Sequence, residues 1–211
     1  MEWNAVLFLG AYHGINPGMG WLFAVALGMQ HGSARGVWRA LPPIALGHMA
    51  AVGAVLLAAG LAQMVVPLSV MKVVVASVLV AFGLYRMWRH RHPRFGGMRV
   101  GFRDLTVWSF LMASAHGAGL MVLPFVMAMS DRVLAAGGSH SHHAAASSAR
   151  VPWVGALALS LHTAAYLLVL VFVAWIVYRK LGLALLRTAW FNLDWLWAGA
   201  LVATGAVVLL S

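Results

Sequence analysis

The sequence predicts an all-α integral membrane protein with six transmembrane helices arranged as a 3+3 inverted repeat. Three observations carry that expectation. Hydrophobic residues make up 63% of the 211-residue chain and charged residues only 9%, with mean hydropathy +0.90, whereas a water-soluble domain carries roughly a quarter charged residues. The apolar residues collect in six stretches, each long enough for the ~20 residues that a bilayer helix needs. Four histidines lie inside those stretches as two matching pairs. His13 and His48 are in the first half, His116 and His162 in the second, and His13 and His116 are each followed by glycine.

Segment one covers 3–29 and holds Asn16-Pro17-Gly18-Met19-Gly20. Proline removes a backbone hydrogen bond and glycine loosens the same stretch, so a broken helix is expected here. The tail Met1-Glu2-Trp3-Asn4 lacks a basic start and a small-residue cleavage site, so the segment reads as a retained span rather than a signal peptide. Segment two covers 40–64 and carries Gly47-His48, and segment three covers 68–89 with Lys72 near its start. These three form the first repeat, 1–89. A basic cytoplasmic linker, 90–103, follows. The second repeat, 104–211, contains segments four (104–130), five (152–178) and six (188–210). Pro124 in segment four is the weaker counterpart of the first break. A histidine-rich outward loop at 137–150 separates segments four and five. It accounts for the greater spacing of the second histidine pair, and it is expected to be dispensable, because polar surface loops tolerate deletion.

The net charge of +10 is a sign of topology, not of nucleic-acid binding. Eleven of the 14 basic residues fall in or beside the first, third and fifth connections, leaving Lys72, Arg132 and Arg150 on the other side. The positive-inside rule makes those odd connections cytoplasmic and both termini external. The expected location is a bacterial inner (plasma) membrane. Three spans per half give the halves opposite orientations, which is the hallmark of an inverted repeat. Aligning Met71–Gly83 with Leu193–Gly205 sets Lys72 opposite Asp194 and Gly83 opposite Gly205. Lys72 and Asp194 read as interfacial snorkelling residues, with a Lys72–Asp194 ion pair as the sharper alternative.

Imidazole is costly at membrane depth, so histidines there usually have a partner or a function. Counted from the expected segment starts at ~1.5 Å per residue, His13 and His162 lie roughly 15 Å in, His116 roughly 18 Å and His48 roughly 12 Å. The four are therefore expected to converge on one metal site near the midplane. Neutral imidazole suits copper, zinc, nickel, cobalt or iron. A ligating histidine donates its other N–H to an acceptor; Asn16, Ser114 and Tyr166 are the leading candidates, with Ser160 and Thr163 behind them. The alternative is that each histidine is helix–helix glue. His140, His142 and His143 form a weaker metal-gathering run. Cysteine is absent, which removes disulfides and thiolate ligands. No apolar span carries a string of carboxylates.

The stretch from Asn16 to Val52 resembles the opening of the lysine-exporter (LysE) superfamily, carried by Pro17, Gly18, Gly36 and Gly47-His48. That resemblance implies six spans in a three-plus-three repeat and places amino-acid exporters and nickel/cobalt efflux proteins among the relatives. The nickel/cobalt carriers have an aspartate near their histidine motif, and this chain has none there. The expected function is transport of a transition-metal cation, in the efflux direction. The alternatives are a membrane metalloenzyme or redox protein holding its metal at the same histidines, haem included, and a metal-free exporter of a small solute. The expected partners are the lipid bilayer and the metal ion, with no nucleic acid; a homo-oligomer is allowed.

Overall fold

The computed structural model describes residues 2–63, 65–88, 101–136, 141–181 and 193–210. Among these the chain is 93% helical and has no strand. Eight helices follow one another: α1 (Glu2–Ile15), α2 (Trp21–Gln30), α3 (Ala34–Ala62), α4 (Leu68–Trp88), α5 (Phe102–Ala115), α6 (Ala118–Ala136), α7 (Ser141–Ile176) and α8 (Leu193–Leu210). Among the described residues, three stretches are long and apolar enough to cross a bilayer: Ala34–Ala62, Ala118–Ala135 and Val151–Lys180. The protein is a helical membrane protein on that basis.

Segment one is broken where its sequence demands. α1 ends at Ile15, Pro17–Met19 form one tight 3₁₀ turn, and α2 starts at Trp21. Gly20 sits at φ +131°, a conformation that only glycine adopts cheaply. Segment four is also broken, but not at Pro124. The break falls at His116-Gly117, with Gly117 at φ +69°, and Pro124 lies within α6 without ending it. Neighbouring helices can absorb an intramembrane proline when they satisfy the backbone group it frees.

Two other boundaries differ from expectation. α3 begins at Ala34, capped by the Ser33 hydroxyl accepting from the Arg35 N–H at 3.2 Å, and it runs through Pro42-Pro43. His48 therefore lies about 21 Å along its helix at ~1.5 Å per residue, deeper than a start at Ala40 implied. α7 begins at Ser141, so positions 142 and 143 stand in a helix rather than in a loop. His140 and the linker residues His90 and His92 lie outside the described residues. The end of α7 widens into a π turn, Val177–Leu181.

The closest packing joins α1 to α7, α3 to α5, and α4 to α8. Glycine makes each approach possible. A Cβ at Gly10 would collide with the His162 carbonyl oxygen, and one at Gly14 would stand 2.5 Å from the Tyr166 carbonyl oxygen. A Cβ at Gly47 would collide with the Thr106 carbonyl oxygen on α5. The α4–α8 contact is reciprocal. A Cβ at Gly83 would meet Val202 Cγ2 at 2.7 Å and the Ala198 oxygen at 3.0 Å, and one at Gly205 would meet Val80 Cγ2 at 2.8 Å and the Ala76 oxygen at 3.0 Å. Small residues let helix backbones approach closely where lipid supplies no hydrophobic drive.

Ion pairs tie the helices together at one end. Arg132 of α6 grips Glu2 of α1 at 2.6 and 2.8 Å, and Lys72 of α4 stands 3.5 Å from Asp131 of α6. Lys72 is thus paired with Asp131, while the Lys72–Asp194 alternative involves a side chain that lies outside the described residues. At the opposite end Trp38 of α3 packs on Trp175 of α7, and Arg179 lies over the Trp175 ring at 4.6 Å.

The glycine contacts make a stability prediction. Gly47→Ala should cost about 1–3 kcal/mol through overpacking against α5. Gly60→Ala, with nothing within 4 Å of the new methyl, should be neutral or stabilise by up to about 1 kcal/mol through helix propensity. Thermal unfolding of the two variants in detergent checks this; equal melting temperatures would refute the close α3–α5 approach.

Candidate functional site

All four histidines of the two sequence pairs are buried: His13, His48 and His162 are 0% exposed and His116 is 1% exposed. Three of them, from α1, α3 and α7, form a triangle. Ring centroids are 5.5 Å apart for His13–His48, 5.0 Å for His13–His162 and 5.4 Å for His48–His162. Tyr166, one turn beyond His162 on α7, stacks on His48 at 4.0 Å and 15°.

His116 has a different setting. It stands at the α5–α6 break, and its ring edge faces the turn that breaks segment one. A Cβ at Gly18 would lie 3.7 Å from His116 Cε1 and 3.5 Å from Met112 Cε.

The Nδ1 atoms are held by backbone. His13 Nδ1 donates to the Leu9 carbonyl at 2.6 Å and His116 Nδ1 to the Met112 carbonyl at 2.8 Å, each one turn back on its own helix. His162 Nδ1 donates across to the Val6 carbonyl of α1 at 3.2 Å. A carbonyl only accepts, so each of these Nδ1 atoms carries the proton of the neutral ring and leaves the lone pair on Nε2. In His162 that Nε2 is buried with no hydrogen-bond partner, and in His48 neither ring nitrogen has one. Buried polar atoms left this way call for an explanation, and an absent ligand is one.

The side chains expected to orient the histidines act otherwise. Asn16 is buried, but its Oδ1 accepts from the Gly18 N–H at 2.9 Å and so builds the turn. Ser114 is exposed, and Ser160 is exposed and donates to Ala156 of its own helix at 2.8 Å; neither orients a histidine. Thr163 is buried with its hydroxyl unpartnered. Tyr166 is at the site, and its hydroxyl donates to the Met19 carbonyl in the broken turn. Residue-by-residue reading missed Ser109, whose buried hydroxyl donates to the Ile44 carbonyl of α3 at 2.7 Å. It also missed the Gly10–Gly14 pair that brings α1 onto the backbone of His162 and Tyr166. The four-residue glycine spacing was the available signal.

The triangle has the spacing of a metal site without its convergence. Three imidazoles on a tetrahedral ion, with metal–nitrogen bonds of ~2 Å, place their centroids about 5 Å apart. Here the rings meet edge-on or stacked, and among the described residues no set of three or more His, Cys, Asp or Glu donors is arranged to hold a metal ion. Turning His48, which no hydrogen bond restrains, is the smallest change toward convergence. The carboxylates Glu2 and Asp131 are engaged with Arg132 and Lys72 at the helix ends. Comparison with protein-family models, curated proteins and solved structures finds no match for this chain.

Proposed function

We propose that the protein carries a transition-metal cation across a bacterial inner membrane, in the efflux direction, through the histidines at its centre. The observation that supports this most is the triangle of buried imidazoles from α1, α3 and α7 with ring centroids 5.0–5.5 Å apart. A metal-free bundle gains little by clustering three neutral imidazoles in apolar surroundings and leaving both nitrogens of His48 unpaired, since each unpaired group costs its lost hydration. A cation liganded by those nitrogens offsets the cost.

The reading includes six spans with external termini and an inverted 3+3 repeat. Exchanging the halves interchanges the α1–α7 and α3–α5 packing and leaves the α4–α8 packing unchanged, as the reciprocal Gly83 and Gly205 contacts illustrate. The start of α1, the start of α4 and the end of α6 share ion pairs at one end, in accord with alternation of the spans. Broken first helices in each half are the usual pointer to a transporter site between repeats. Single-cysteine labels at the two termini should react with an impermeant reagent in intact spheroplasts; reaction only after lysis would overturn the orientation.

The function is tested by metal content. Purified wild-type chain, loaded with copper, zinc, nickel, cobalt or iron in parallel, should retain one of them after desalting. His48→Ala and His162→Ala should each lower retained metal at least about tenfold, equivalent to about 1.4 kcal/mol. His31→Ala, at an exposed helix end, should not lower it. Cells expressing wild type should accumulate less of that metal than cells expressing His48→Ala. Unchanged metal retention in both site variants would end this reading, and a visible absorption band copurifying with the chain would assign the histidines to a resident haem instead.

A further inference from the structure

We propose that the exposed cations around Trp38 and Trp175, where α3 begins and α7 ends, bind the headgroup of an anionic phospholipid. The site stands apart from the histidines and does not depend on metal carriage. Arg35, Trp38 and Arg39 lie in the first turns of the apolar stretch Ala34–Ala62, and Trp175, Arg179 and Lys180 close the apolar stretch Val151–Lys180. The contact between Trp38 and Trp175 brings the start of one stretch to the end of the other. In a chain that crosses a bilayer by these stretches, their common end lies where hydrocarbon gives way to headgroups.

Ring contacts hold the cluster together. The centroids of Trp38 and Trp175 are 6.5 Å apart, and the Arg179 guanidinium carbon stands 4.6 Å from the centre of the Trp175 ring. Arg35 is three residues before Trp38 and four before Arg39, so the three are neighbours on one exposed face of α3. A guanidinium stacked on an aromatic ring keeps its N–H donors at its edge, in a fork that matches two phosphate oxygens. The ring also limits where Arg179 can move, so less side-chain freedom is lost when a headgroup binds. Trp38 is 52% exposed. Its ring offers apolar surface to the glycerol and upper acyl chain, as tryptophans at headgroup level do.

Charge decides the partner. At the opposite end the cations have protein counter-charges, Arg132 with Glu2 and Lys72 with Asp131. Here Arg35, Arg39, Arg179 and Lys180 are all exposed, and among the described residues none of them pairs with a carboxylate. Asp104 is used elsewhere, capping α5 by accepting from the Gly101 N–H at 3.0 Å. At headgroup level the abundant anion is lipid phosphate. A zwitterionic headgroup carries its own cation beside that phosphate, which four clustered protein cations repel; an anionic headgroup has none.

The experiment strips the purified full chain of lipid in an uncharged detergent, adds phosphatidylglycerol or phosphatidylcholine, and counts bound lipids by native mass spectrometry. Wild type should bind phosphatidylglycerol at least about tenfold more tightly than phosphatidylcholine. General attraction of one arginine to an anionic surface is worth about fivefold. Arg179→Gln should exceed that and lower phosphatidylglycerol affinity at least about tenfold, because it removes a directed phosphate contact. Arg35→Gln should act in the same direction. Arg103→Gln removes the same charge from the exposed start of α5 and should stay within about fivefold. Trp175→Leu leaves every charge in place but releases Arg179, so it should also weaken binding; if it fails to fold, Trp38→Leu at an exposed position replaces it. Equal affinity for the two lipids would overturn the site. So would an Arg179→Gln effect no larger than that of Arg103→Gln, which would mean diffuse attraction only. Unchanged affinity in the tryptophan variant would remove the rings from the site. None of these substitutions touches the histidines, so metal retention should stay at the wild-type level in all of them.

Discussion

A helix interrupted inside a packed apolar bundle must find partners for the backbone groups it releases, and that constraint organises this molecule. Buried away from water, each one left bare is expensive. At the first break the account nearly closes. The Asn16 N–H donates to the His13 carbonyl at 3.2 Å, the Met19 N–H to Asn16 at 2.9 Å, and the Gly18 N–H to the Asn16 side chain at 2.9 Å. Trp21 Nε1 reaches back to the Ile15 carbonyl at 2.9 Å, and Tyr166 crosses from α7 to the Met19 carbonyl. At the second break the Met112 carbonyl accepts twice, from the backbone and the ring of His116. The residues that close the breaks are also the residues around the histidines, so the cost of breaking the helices and the geometry of the site are one problem.

The same economy explains why the imidazoles are so well placed. Gly10 and Gly14 let α1 lie against the backbone of α7 at His162 and Tyr166. That approach puts the Val6 carbonyl within reach of His162 Nδ1 and brings His13 to within 5.0 Å of the His162 ring. Gly47 does the same for α3 and α5, where Ser109 bonds the Ile44 carbonyl one turn before His48. Larger residues at these glycines would push the helices apart, and the histidines, being attached to the facing backbones, would separate with them.

Much of this was legible from the residues, and the failures have identifiable causes. The helical membrane class followed from composition, and the first break from Asn-Pro-Gly-Met-Gly, where proline and glycine leave little choice. Three of the four histidines do come together, and Tyr166 lies with them because i and i+4 share a face. Ser114 was a poor candidate for a reason also in the sequence: two residues before His116, it points to the opposite side of the helix, and it is exposed. The second break was placed at Pro124 because proline is the loudest signal. The structure uses Gly117, whose positive φ no composition rule announces. The acceptors for the histidine N–H groups were sought among side chains and turned out to be carbonyls, which every residue carries and no residue list reveals. The start of α3 was set too late, at 40, whereas the Ser33 cap lies earlier and the helix runs through Pro42-Pro43.

Tautomers carry the last step. An imidazole with an unrestrained ring can present either nitrogen, and a cluster of such rings would have no defined donor direction. Carbonyl acceptors remove that freedom at His13, His116 and His162, each of which is left with its lone pair on Nε2. His48 is the exception. It is the member with both nitrogens unpartnered, held by stacking on Tyr166 and by its neighbours rather than by a hydrogen bond. Stacking restrains tilt but permits rotation in the ring plane more readily than a hydrogen bond does, because the contact is nondirectional while the bond weakens steeply off axis. The triangle therefore combines two rings of fixed donor direction with one that can adjust. Fixed donors preorganise a site and lower the ordering cost of binding. Under the proposed reading, an adjustable donor would let the site close on an ion and open again, which a carrier needs and a permanent metal centre does not.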